Sequence, residues 1–338
     1  MASTSGPIRV LHFGLGPIGV GIVRQVAARK GFKIVGAVDI DPAKVGRDLS
    51  EIAGLSKRLK VPVMDDAKKA IKATKPDVAV LCTNSSLKKV LPQFETVLKL
   101  KVPIVSTTEE LAYPTKRNMR YAREIHQLAK KAKVAVLGTG VNPGFVMDAL
   151  PIMLTGVCER VEAIRVDRIQ DARIRRLPFQ QKIGAGLTPA AFARRAADGS
   201  VRHVGFAESI QMIADALGWR LDRVTDVVSP KIADAPVASE FLQVDAGQVA
   251  GIIQEGAGYV ADERRISLRL EAYLGAPQSY DSVLIEGVPR LYSKIDGGVH
   301  GDIATASMAV NAIPAVLAAP AGFRTMRDMR LPSYFGGR

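Results

Sequence analysis

The sequence predicts an α/β protein that has an N-terminal doubly wound parallel sheet and a C-terminal α+β domain with an open, mostly antiparallel sheet. Three observations support this prediction. Apolar runs alternate with helical segments early in the chain, the hydrophobic pattern changes after about residue 148, and 338 residues exceed the usual length of one domain. We expect a first domain over 1–148, a second over 149–300, and a C-terminal helix and tail over 301–338 that return to the first domain.

The first domain is predicted from short, unbroken apolar runs, which are typical of strands buried on both faces of a parallel sheet. The predicted strands are Ile8–Phe13, Lys33–Val38, Val61–Val63, Val78–Thr83, Ile104–Ser106 and Val134–Gly138. The predicted helices between them are Ile18–Arg29, Asp66–Ala73, Lys88–Leu98 and Lys116–Lys131. Because crossovers between parallel strands are right-handed, this order predicts helices on both faces of the sheet.

The second domain is predicted from longer segments in which apolar and polar residues alternate, as in an antiparallel sheet with one solvated face. These segments are Val161–Ile169, Leu221–Val228, Val244–Ile252, Ile266–Leu274 and Ser282–Leu291. Helices are predicted from Thr188-Pro189 onward and over Ala207–Leu217, the latter ended by Gly218. A last helix is predicted over Ile303–Leu317.

Composition argues against several kinds of partner. The net charge is +14, but the lysines are scattered and aromatic residues make up only 5%, so no nucleic-acid partner is predicted. No stretch approaches the roughly 18 apolar residues of a membrane span, and no basic-then-apolar leader is seen, so we expect a cytoplasmic protein without a membrane partner. Cys82 and Cys158 indicate neither a disulfide framework nor a metal site.

A glycine-rich segment follows the first predicted strand and opens the first helix: Gly14-Leu15-Gly16-Pro17-Ile18-Gly19. In this context Gly14 permits a tight turn, Gly16 lets the backbone approach a pyrophosphate, and Gly19 lets helix and strand pack closely. The helix N-terminus supplies N–H donors, and Pro17 fits its first turn. We therefore predict a Rossmann domain that binds NAD or NADP; the alternative is a glycine-rich turn without a ligand.

Asp39 ends the second predicted strand, where an acidic side chain accepts hydrogen bonds from the adenosine ribose hydroxyls. This position slightly favours NAD. Lys44 and Arg47 follow closely and could neutralise the 2′-phosphate of NADP, and Asp41 is an alternative as a helix cap.

Polar residues follow three other predicted strands at the carboxyl edge of the sheet, where ligands bind in open α/β folds. Thr83, Asn84 and Ser85 follow the fourth strand, Thr107 the fifth, and Asn142 the sixth. We expect all of them to face the cofactor, although a serine of the first segment can equally cap the next helix.

Two carboxylates, Glu109 and Glu110, also follow the fifth strand. A carboxylate there can bind an ammonium group or move a proton while a hydride is transferred. The alternative is that both residues only begin the next helix, where carboxylates suit the helix dipole.

Four segments together resemble those of a known family: Gly14-Leu15-Gly16-Pro17-Ile18-Gly19, Glu109-Glu110-Leu111-Ala112-Tyr113-Pro114, Gly140-Val141-Asn142-Pro143-Gly144-Phe145 and Gly297-Gly298-Val299-His300-Gly301-Asp302-Ile303-Ala304-Thr305. The chain resembles the 2,4-diaminopentanoate dehydrogenases and the native amine dehydrogenases of the dihydrodipicolinate reductase-like superfamily. The resemblance implies an enzyme that interconverts a primary amine with a ketone or aldehyde and ammonia. It also implies a homodimer, and a sheet with one exposed face is a common dimer interface. It implies that Glu109 positions ammonia and assists proton transfer. Glu110 is assigned to substrate binding and is the alternative candidate for the catalytic role.

Two departures narrow this resemblance. The chain lacks the His-His pair and the Asp-Ala-Pro-Ser-Gly-Thr run of dihydrodipicolinate reductases. It also has Thr108-Glu109-Glu110 where the similar homoserine dehydrogenases have Ala-Asn-Lys. A carboxylate in place of that lysine suits a cationic ammonium or iminium group better than an oxyanion.

Four further side chains are candidates for the pocket. Phe145 is expected against the nicotinamide or the substrate, and Phe179 is expected to wall the pocket from the second domain. His203 lies in a loop before a helix and is a substrate candidate, whereas His300 lies ahead of the last helix and is a cofactor candidate. Each phenylalanine can equally be a core residue, and a lone histidine is more often structural.

The function predicted from these observations is that of an NAD(P)-dependent amine dehydrogenase. Within enzymes, the alternative is an imine or dihydrodipicolinate-type reductase of unknown substrate. Outside enzymes, the alternative is a nicotinamide-sensing protein without catalysis.

Overall fold

A computed structural model describes residues 6–337 of the chain. The predicted lack of a leader therefore rests partly on residues 1–5, which lie outside the described part. The strands are β1 Ile8–Phe13, β2 Phe32–Val38, β3 Val63–Met64, β4 Val78–Leu81, β5 Ile104–Ser106, β6 Ala135–Gly138, β7 Arg160–Asp171, β8 Arg223–Ile232, β9 Val237–Ala238, β10 Gln243–Val244, β11 Val249–Val260, β12 Glu263–Tyr273, β13 Tyr280–Val288, β14 Leu291–Asp296 and β15 Gly322–Arg324.

The α-helices are α1 Pro17–Ala27, α2 Leu49–Ala53, α3 Ala67–Thr74, α4 Leu87–Lys99, α5 Glu109–Ala112, α6 Met119–Ala132, α7 Ala149–Leu154, α8 Leu177–Lys182, α9 Pro189–Ala197, α10 Phe206–Ala216 and α11 Gly301–Ala318. Two short 3-10 helices cover Thr155–Val157 and Ala172–Ile174. The chain forms two compact units. The first combines the residues up to Phe145 with those from His300 onward, and the second is Val146–Val299.

The first unit is built on a parallel sheet with the strand order β15-β6-β5-β4-β1-β2-β3. This confirms the predicted doubly wound sheet. One face packs against α3, α4 and α6 through a core that includes Phe13, Leu81, Phe94 and Val136. The strand β15, which the sequence analysis did not predict, pairs with β6 and extends the sheet.

The helix α11 belongs to the first unit and packs against α1. Polar contacts join the two helices: Gln25 Nε2 lies 3.0 Å from Ser307 Oγ, and Arg29 Nη1 lies 2.6 Å from Asn311 Oδ1. Among residues 6–337, α11 alone has the length and apolar composition of a membrane span. It packs against α1, and its Ala309, Val310 and Ile313 are completely buried.

The second unit contains a six-stranded sheet with the order β14-β13-β7-β12-β11-β8. All neighbouring strands are antiparallel except β7 and β12, so the prediction of an open, mostly antiparallel sheet is confirmed. One face carries α10, whose Phe206 and Ile210 lie against Gly256 of β11. We call the opposite face, which includes Arg165, Val227, Arg269 and Tyr292, the open sheet face.

Two predicted strand boundaries in this sheet were wrong. The segment predicted over Ser282–Leu291 is interrupted near Pro289, which has no N–H to give to a strand ladder, and it becomes the end of β13 and the start of β14. The segment predicted over Val244–Ile252 covers the two-residue β10 and only the start of β11. Small residues such as Gly256 and Gly258 interrupt the apolar alternation in the second half of β11, and α10 packs on them.

A buried ion pair joins two strands of the second unit. Arg168 Nη1 lies 2.9 Å from Asp281 Oδ1, and both side chains are almost completely buried. The backbone of Val299 is held at both ends: its N–H donates to Asp281 Oδ2 at 2.7 Å, and its carbonyl accepts from Arg168 Nη2 at 2.7 Å. Gln170 Nε2 also donates to this carbonyl, at 3.2 Å.

Candidate functional site

Four strands of the first unit end on one line at the carboxyl edge of the sheet. Phe13 pairs with Leu81, Leu81 with Ser106, and Ser106 with Gly138. The loops after β1, β4, β5 and β6 are therefore neighbours. All residues predicted from the sequence to bind the cofactor lie in the first unit, and most lie in these loops.

The glycine-rich loop after β1 has the geometry of a phosphate cradle. Gly14 has a φ of 93°, and a Cβ there would lie 2.7 Å from the Cys82 carbonyl oxygen. A Cβ at Gly19 would lie 2.0 Å from the Gly14 carbonyl oxygen, so both positions require glycine. Gly16 differs, because nothing lies within 4 Å of its Cβ position.

Gly16 is also the N-cap of α1, and no side chain caps this helix. The first turn contains Pro17, Ile18 and Gly19 and has no acidic residue. The N–H groups at this helix end, together with the positive end of its dipole, therefore suit a pyrophosphate. Leu15 between the glycines is buried and anchors the loop in the core below.

Asp39 holds the glycine-rich loop from the end of β2. Its Oδ2 accepts from the Leu15 N–H at 2.7 Å, and its Oδ1 accepts from the Asp41 N–H at 2.9 Å. Lys44 Nζ lies 3.6 Å from Asp39 and 3.0 Å from Asp41. Although burial lowers the pKa of Lys44, these two carboxylates raise it overall, so the ammonium is firmly charged. Arg47 pairs instead with Glu51, at 3.3 Å.

The loops after β4 and β5 are joined by hydroxyl groups. Ser106 Oγ donates to the Leu81 carbonyl, and Thr108 Oγ1 donates to the Asn84 carbonyl, each at 2.9 Å. Asn84 Oδ1 accepts from the Ser86 N–H at 3.0 Å, and Thr83 Oγ1 contacts Gln93 at 2.5 Å. The hydrogen bonds of Ser106 and Thr108 hold the two loops together at the carboxyl edge of the sheet. Thr107 and Ser85 are half-buried beside them.

The adjacent carboxylates Glu109 and Glu110 have different surroundings. Both lie in the first turn of α5. Glu110 Oε2 accepts from the N–H of Leu87 at 2.8 Å, so it caps α4, and neither Ser85 nor Ser86 does so with its side chain. The Glu109 carboxylate is half-buried and has no hydrogen-bond or ion-pair partner within residues 6–337. Of the two, Glu109 is therefore the one left available to a ligand.

Two glycines, one at the end of β6 and one in the loop after it, allow close approaches of the backbone. A Cβ at Gly138 would lie 2.6 Å from the Leu111 carbonyl oxygen, so this glycine lets α5 lie directly on β6. Gly144 has a φ of 126°, and its Cβ position lies 2.5 Å from the Gly140 nitrogen. Gly138 was not among the residues predicted for the site, because a glycine at a strand end is its only signal in the sequence.

The loop after β6 carries Asn142 and is held by α11. The Val141 N–H donates to Thr305 Oγ1 at 3.4 Å. Sequence reasoning did not assign a role to Thr305, because its contact depends on the return of α11 to this edge. His300 is the N-cap of α11, with Nδ1 as acceptor from the Ile303 N–H at 3.5 Å. Phe145 is half-buried at the end of the first segment of this unit.

Phe179 and His203 lie in the second unit. Phe179 is in α8, and the Arg175 guanidinium lies 4.0 Å from the centre of its ring. The backbone of His203 exchanges two hydrogen bonds with the amide of Gln254, at 2.8 and 3.0 Å. Its ring lies edge-on to Phe206, at a centroid distance of 6.0 Å.

Residues 6–337 offer little support for a metal site or a cysteine nucleophile. No group of three or more His, Cys, Asp or Glu side chains there could hold a metal ion. Desolvation raises the pKa of Cys82 to about 12, so this thiol stays protonated at neutral pH and is a poor nucleophile. Carboxylate and hydroxyl groups are therefore the reactive groups that the carboxyl edge offers.

Comparison with known proteins agrees with this geometry. Residues 145–337 match the model of the 2,4-diaminopentanoate dehydrogenase C-terminal domain, and residues 8–139 match that of the dihydrodipicolinate reductase N-terminus. The chain is 34% identical, over 334 residues, to the 2,4-diaminopentanoate dehydrogenase of Acetoanaerobium sticklandii. The aligned region covers 96% of this chain and 94% of that protein.

Two solved structures extend the comparison. The amine dehydrogenase from Mycobacterium smegmatis superposes with a TM-score of 0.88 at 25% identity, over 99% of each chain. An oxidoreductase from Agrobacterium radiobacter, solved in complex with NAD+, shares the fold with a TM-score of 0.53 at 11% identity, over 90% of this chain and 86% of that one. The family resemblance predicted from the sequence is confirmed, and the chain belongs to the 2,4-diaminopentanoate dehydrogenase family.

Proposed function

We propose that this protein is an NAD(P)-dependent amine dehydrogenase in which Glu109 is the catalytic carboxylate. The observation that carries the proposal is the difference between two neighbours: Glu110 caps α4, whereas Glu109 has no partner in the described chain. The names of two relatives, a 2,4-diaminopentanoate dehydrogenase and an amine dehydrogenase, support the same reaction class.

The first unit would hold the cofactor along its carboxyl edge. The segment from Gly14 to Gly19 and the N-terminus of α1 suit the pyrophosphate, and Asp39 suits the adenosine ribose. We propose further contacts with the cofactor from the residues predicted to face it: Thr83, Asn84, Ser85, Thr107, Asn142 and His300. When bound, the nicotinamide accepts or donates the hydride.

The reaction requires that a proton move together with the change at carbon. During oxidation, the amine-bearing carbon loses a hydride and becomes an iminium carbon, to which water adds before ammonia leaves. In reverse, ammonia adds to a ketone or aldehyde, water leaves, and the iminium carbon receives a hydride. Glu109 would bind the ammonium by its charge, accept its proton so that nitrogen can attack, and return the proton to the departing hydroxyl.

Replacement of each glutamate by glutamine tests this assignment. Glu109→Gln keeps the size but removes the charge and the base, so reductive amination should fall by about 10²–10⁴-fold while the Kd for the cofactor hardly changes. Glu110→Gln is the matched control, because it removes the same charge one residue away. We expect it to keep most of the activity and to lose about 1 kcal/mol of stability from the weakened cap.

Steady-state assays with ammonium and a panel of ketones and aldehydes measure these effects. Loss of activity only in Glu110→Gln would exchange the two roles. Full activity in both variants would contradict the amine site. Tight cofactor binding by the wild-type chain without turnover of any substrate would favour a sensing protein instead.

We also infer a preference for NAD over NADP. Asp39 would repel a 2′-phosphate and accept from a 2′-hydroxyl. The two cations that could offset this repulsion already have carboxylate partners: Lys44 pairs with Asp39 and Asp41, and Arg47 pairs with Glu51.

A cytoplasmic homodimer is the assembly that we propose. The open sheet face exposes 59% of Val227 and 58% of Tyr292, beside paired charges such as Arg269 and Glu271, at 2.7 Å. Apolar residues that alternate with charges of both signs suit an interface between two copies of the same face. Light scattering at micromolar concentration should give the mass of a dimer, and a monomer there would contradict the proposal.

A further inference from the structure

One buried hydroxyl at the carboxyl edge forms no hydrogen bond within residues 6–337. Thr139 follows β6 and is 97% buried, since only 3% of its surface is exposed. Its Oγ1 has no hydrogen-bond partner in the part of the chain that the structure describes. A buried hydroxyl without a partner costs free energy, and native proteins seldom retain one without a reason.

The hydroxyls around Thr139 are all engaged. Ser106 and Thr108 donate to backbone carbonyls of the neighbouring loop, and Thr305 accepts from the Val141 N–H. The backbone of Thr139 is held as well, because its N–H donates to the Ser106 carbonyl at 2.9 Å. Among these buried hydroxyls, Thr139 Oγ1 is therefore the one that lacks a partner in residues 6–337.

The glycines on either side of Thr139 show what its segment packs against. The Cβ position of Gly138 faces α5, which lies 2.6 Å away at the Leu111 carbonyl. Thr139 lies between this glycine and Gly140, whose Cβ position is 3.6 Å from Thr305 Cγ2 of α11, on the other face of the sheet. That face carries α1, whose N-terminus is the proposed pyrophosphate site.

The position across the sheet also matters. The adenosine end of a dinucleotide lies on the β2 side of the proposed site, next to Asp39, so its other end extends from β1 toward β4, β5 and β6. β6 is three strands from β1, about 14 Å at the usual strand spacing. Thr139 is therefore at the nicotinamide end of the edge.

We propose that Thr139 Oγ1 hydrogen-bonds the carboxamide of the nicotinamide and so fixes the orientation of the ring. This inference rests on the proposed cofactor site. A carboxamide has both donors and an acceptor, and a threonine hydroxyl can serve either. The ammonium of the substrate instead needs a negative charge, which Glu109 supplies. Thr139 is thus a cofactor-positioning residue distinct from the catalytic carboxylate.

The test compares Thr139→Val, which replaces the hydroxyl by a methyl group, with Thr139→Ser, which keeps it. Binding of NADH and of ADP-ribose, which lacks the nicotinamide, is measured by calorimetry. Thr139→Val should weaken NADH about tenfold and leave ADP-ribose unchanged. Thr139→Ser should bind both nearly as the wild type does.

Thermal unfolding without cofactor provides the second measurement. Because Thr139→Val removes a buried hydroxyl that has no partner, the Tm of the cofactor-free variant should equal or exceed that of the wild type. A lower Tm would indicate a structural partner and overturn the proposal. Equal weakening of NADH and ADP-ribose, or no change in either, would also overturn it. If the wild type binds neither compound, the proposed cofactor site itself fails, and this outcome differs from all the others.

Discussion

Polar side chains have different surroundings in the buried ion-pair network of the second unit and at the carboxyl edge of the first unit. In the second unit, Arg168 and Asp281 form a buried ion pair, and both contact the backbone of Val299. Gln170 donates to the same carbonyl. Each charged group in this network has a partner within the unit.

The carboxyl edge of the first unit contrasts with this network. Glu109 and Thr139 have no side-chain partner among residues 6–337, although their neighbours Glu110 and Thr108 are engaged. The ion-pair network is thus fully paired, whereas the edge where a ligand is proposed to bind keeps two side chains without a partner. Buried His12 Nε2 in β1 also lacks one in the described chain. The comparison suggests that an unpartnered group in an otherwise satisfied region is a better indicator of function than polarity alone.

The largest expected effect is on the partnered side of the comparison. Arg168→Ala leaves the buried Asp281 without its cation, and we expect a loss of about 3–5 kcal/mol in the free energy of unfolding. Urea denaturation measures it. Arg165→Ala is a control on the same strand, because Arg165 pairs with Asp167 on the open sheet face and is 57% exposed. It should cost less than about 1 kcal/mol, and equal losses would contradict the distinction.

A smaller effect is expected from a buried group of the first unit that titrates. Burial lowers the pKa of His12 in β1 to about 3, from 6.5 in the unfolded chain. The unfolded state therefore binds the proton first, and stability should fall as the pH drops below about 6.5. The loss should reach about 2 kcal/mol at pH 5.

Urea midpoints between pH 7.5 and pH 5 measure this dependence. His12→Leu removes the titrating ring and should flatten the profile below pH 6.5 by about that amount. An unchanged profile in the variant would show that other groups cause the acid sensitivity.

The smallest effect concerns cofactor choice. Asp39→Ser removes an acceptor for the ribose hydroxyls and a charge that repels a 2′-phosphate. Lys44 loses one of its two carboxylate partners and keeps Asp41, at 3.0 Å. The ratio of NAD to NADP affinity should fall about tenfold. Because Asp39 also holds the Leu15 N–H, some loss for both cofactors is expected. An equal loss for both would contradict the assigned role, and fluorescence titration distinguishes the two results.

Much of the fold was predictable because its signals are local. The glycine-rich loop and the buried strands of the first unit are visible as short patterns of neighbouring residues. The parallel pairing of β7 with β12 was not, because it joins segments about 100 residues apart in sequence and no local pattern specifies it. The strand β15 has only three residues, too few for periodicity to indicate it.

The position of the candidate site could be predicted from the sequence, but the surroundings of its individual side chains could not. The carboxyl-edge loops follow from the order of strands, whereas the choice between Glu109 and Glu110 does not. That choice depends on where α4 begins relative to α5, since the Leu87 N–H engages only one of the two carboxylates. In the same way, Thr139 stands out only after the partners of Ser106 and Thr108 are known.

The division of the first unit into two chain segments has a consequence for biosynthesis. The second unit, Val146–Val299, is one continuous stretch, whereas the first needs α11 and β15 from the end of the chain. During translation the second unit is complete before the first, and until β15 is made β6 keeps an open edge that another strand could pair with. A nonsense codon after Val299 would therefore spare the second unit and remove two elements of the nucleotide-binding one.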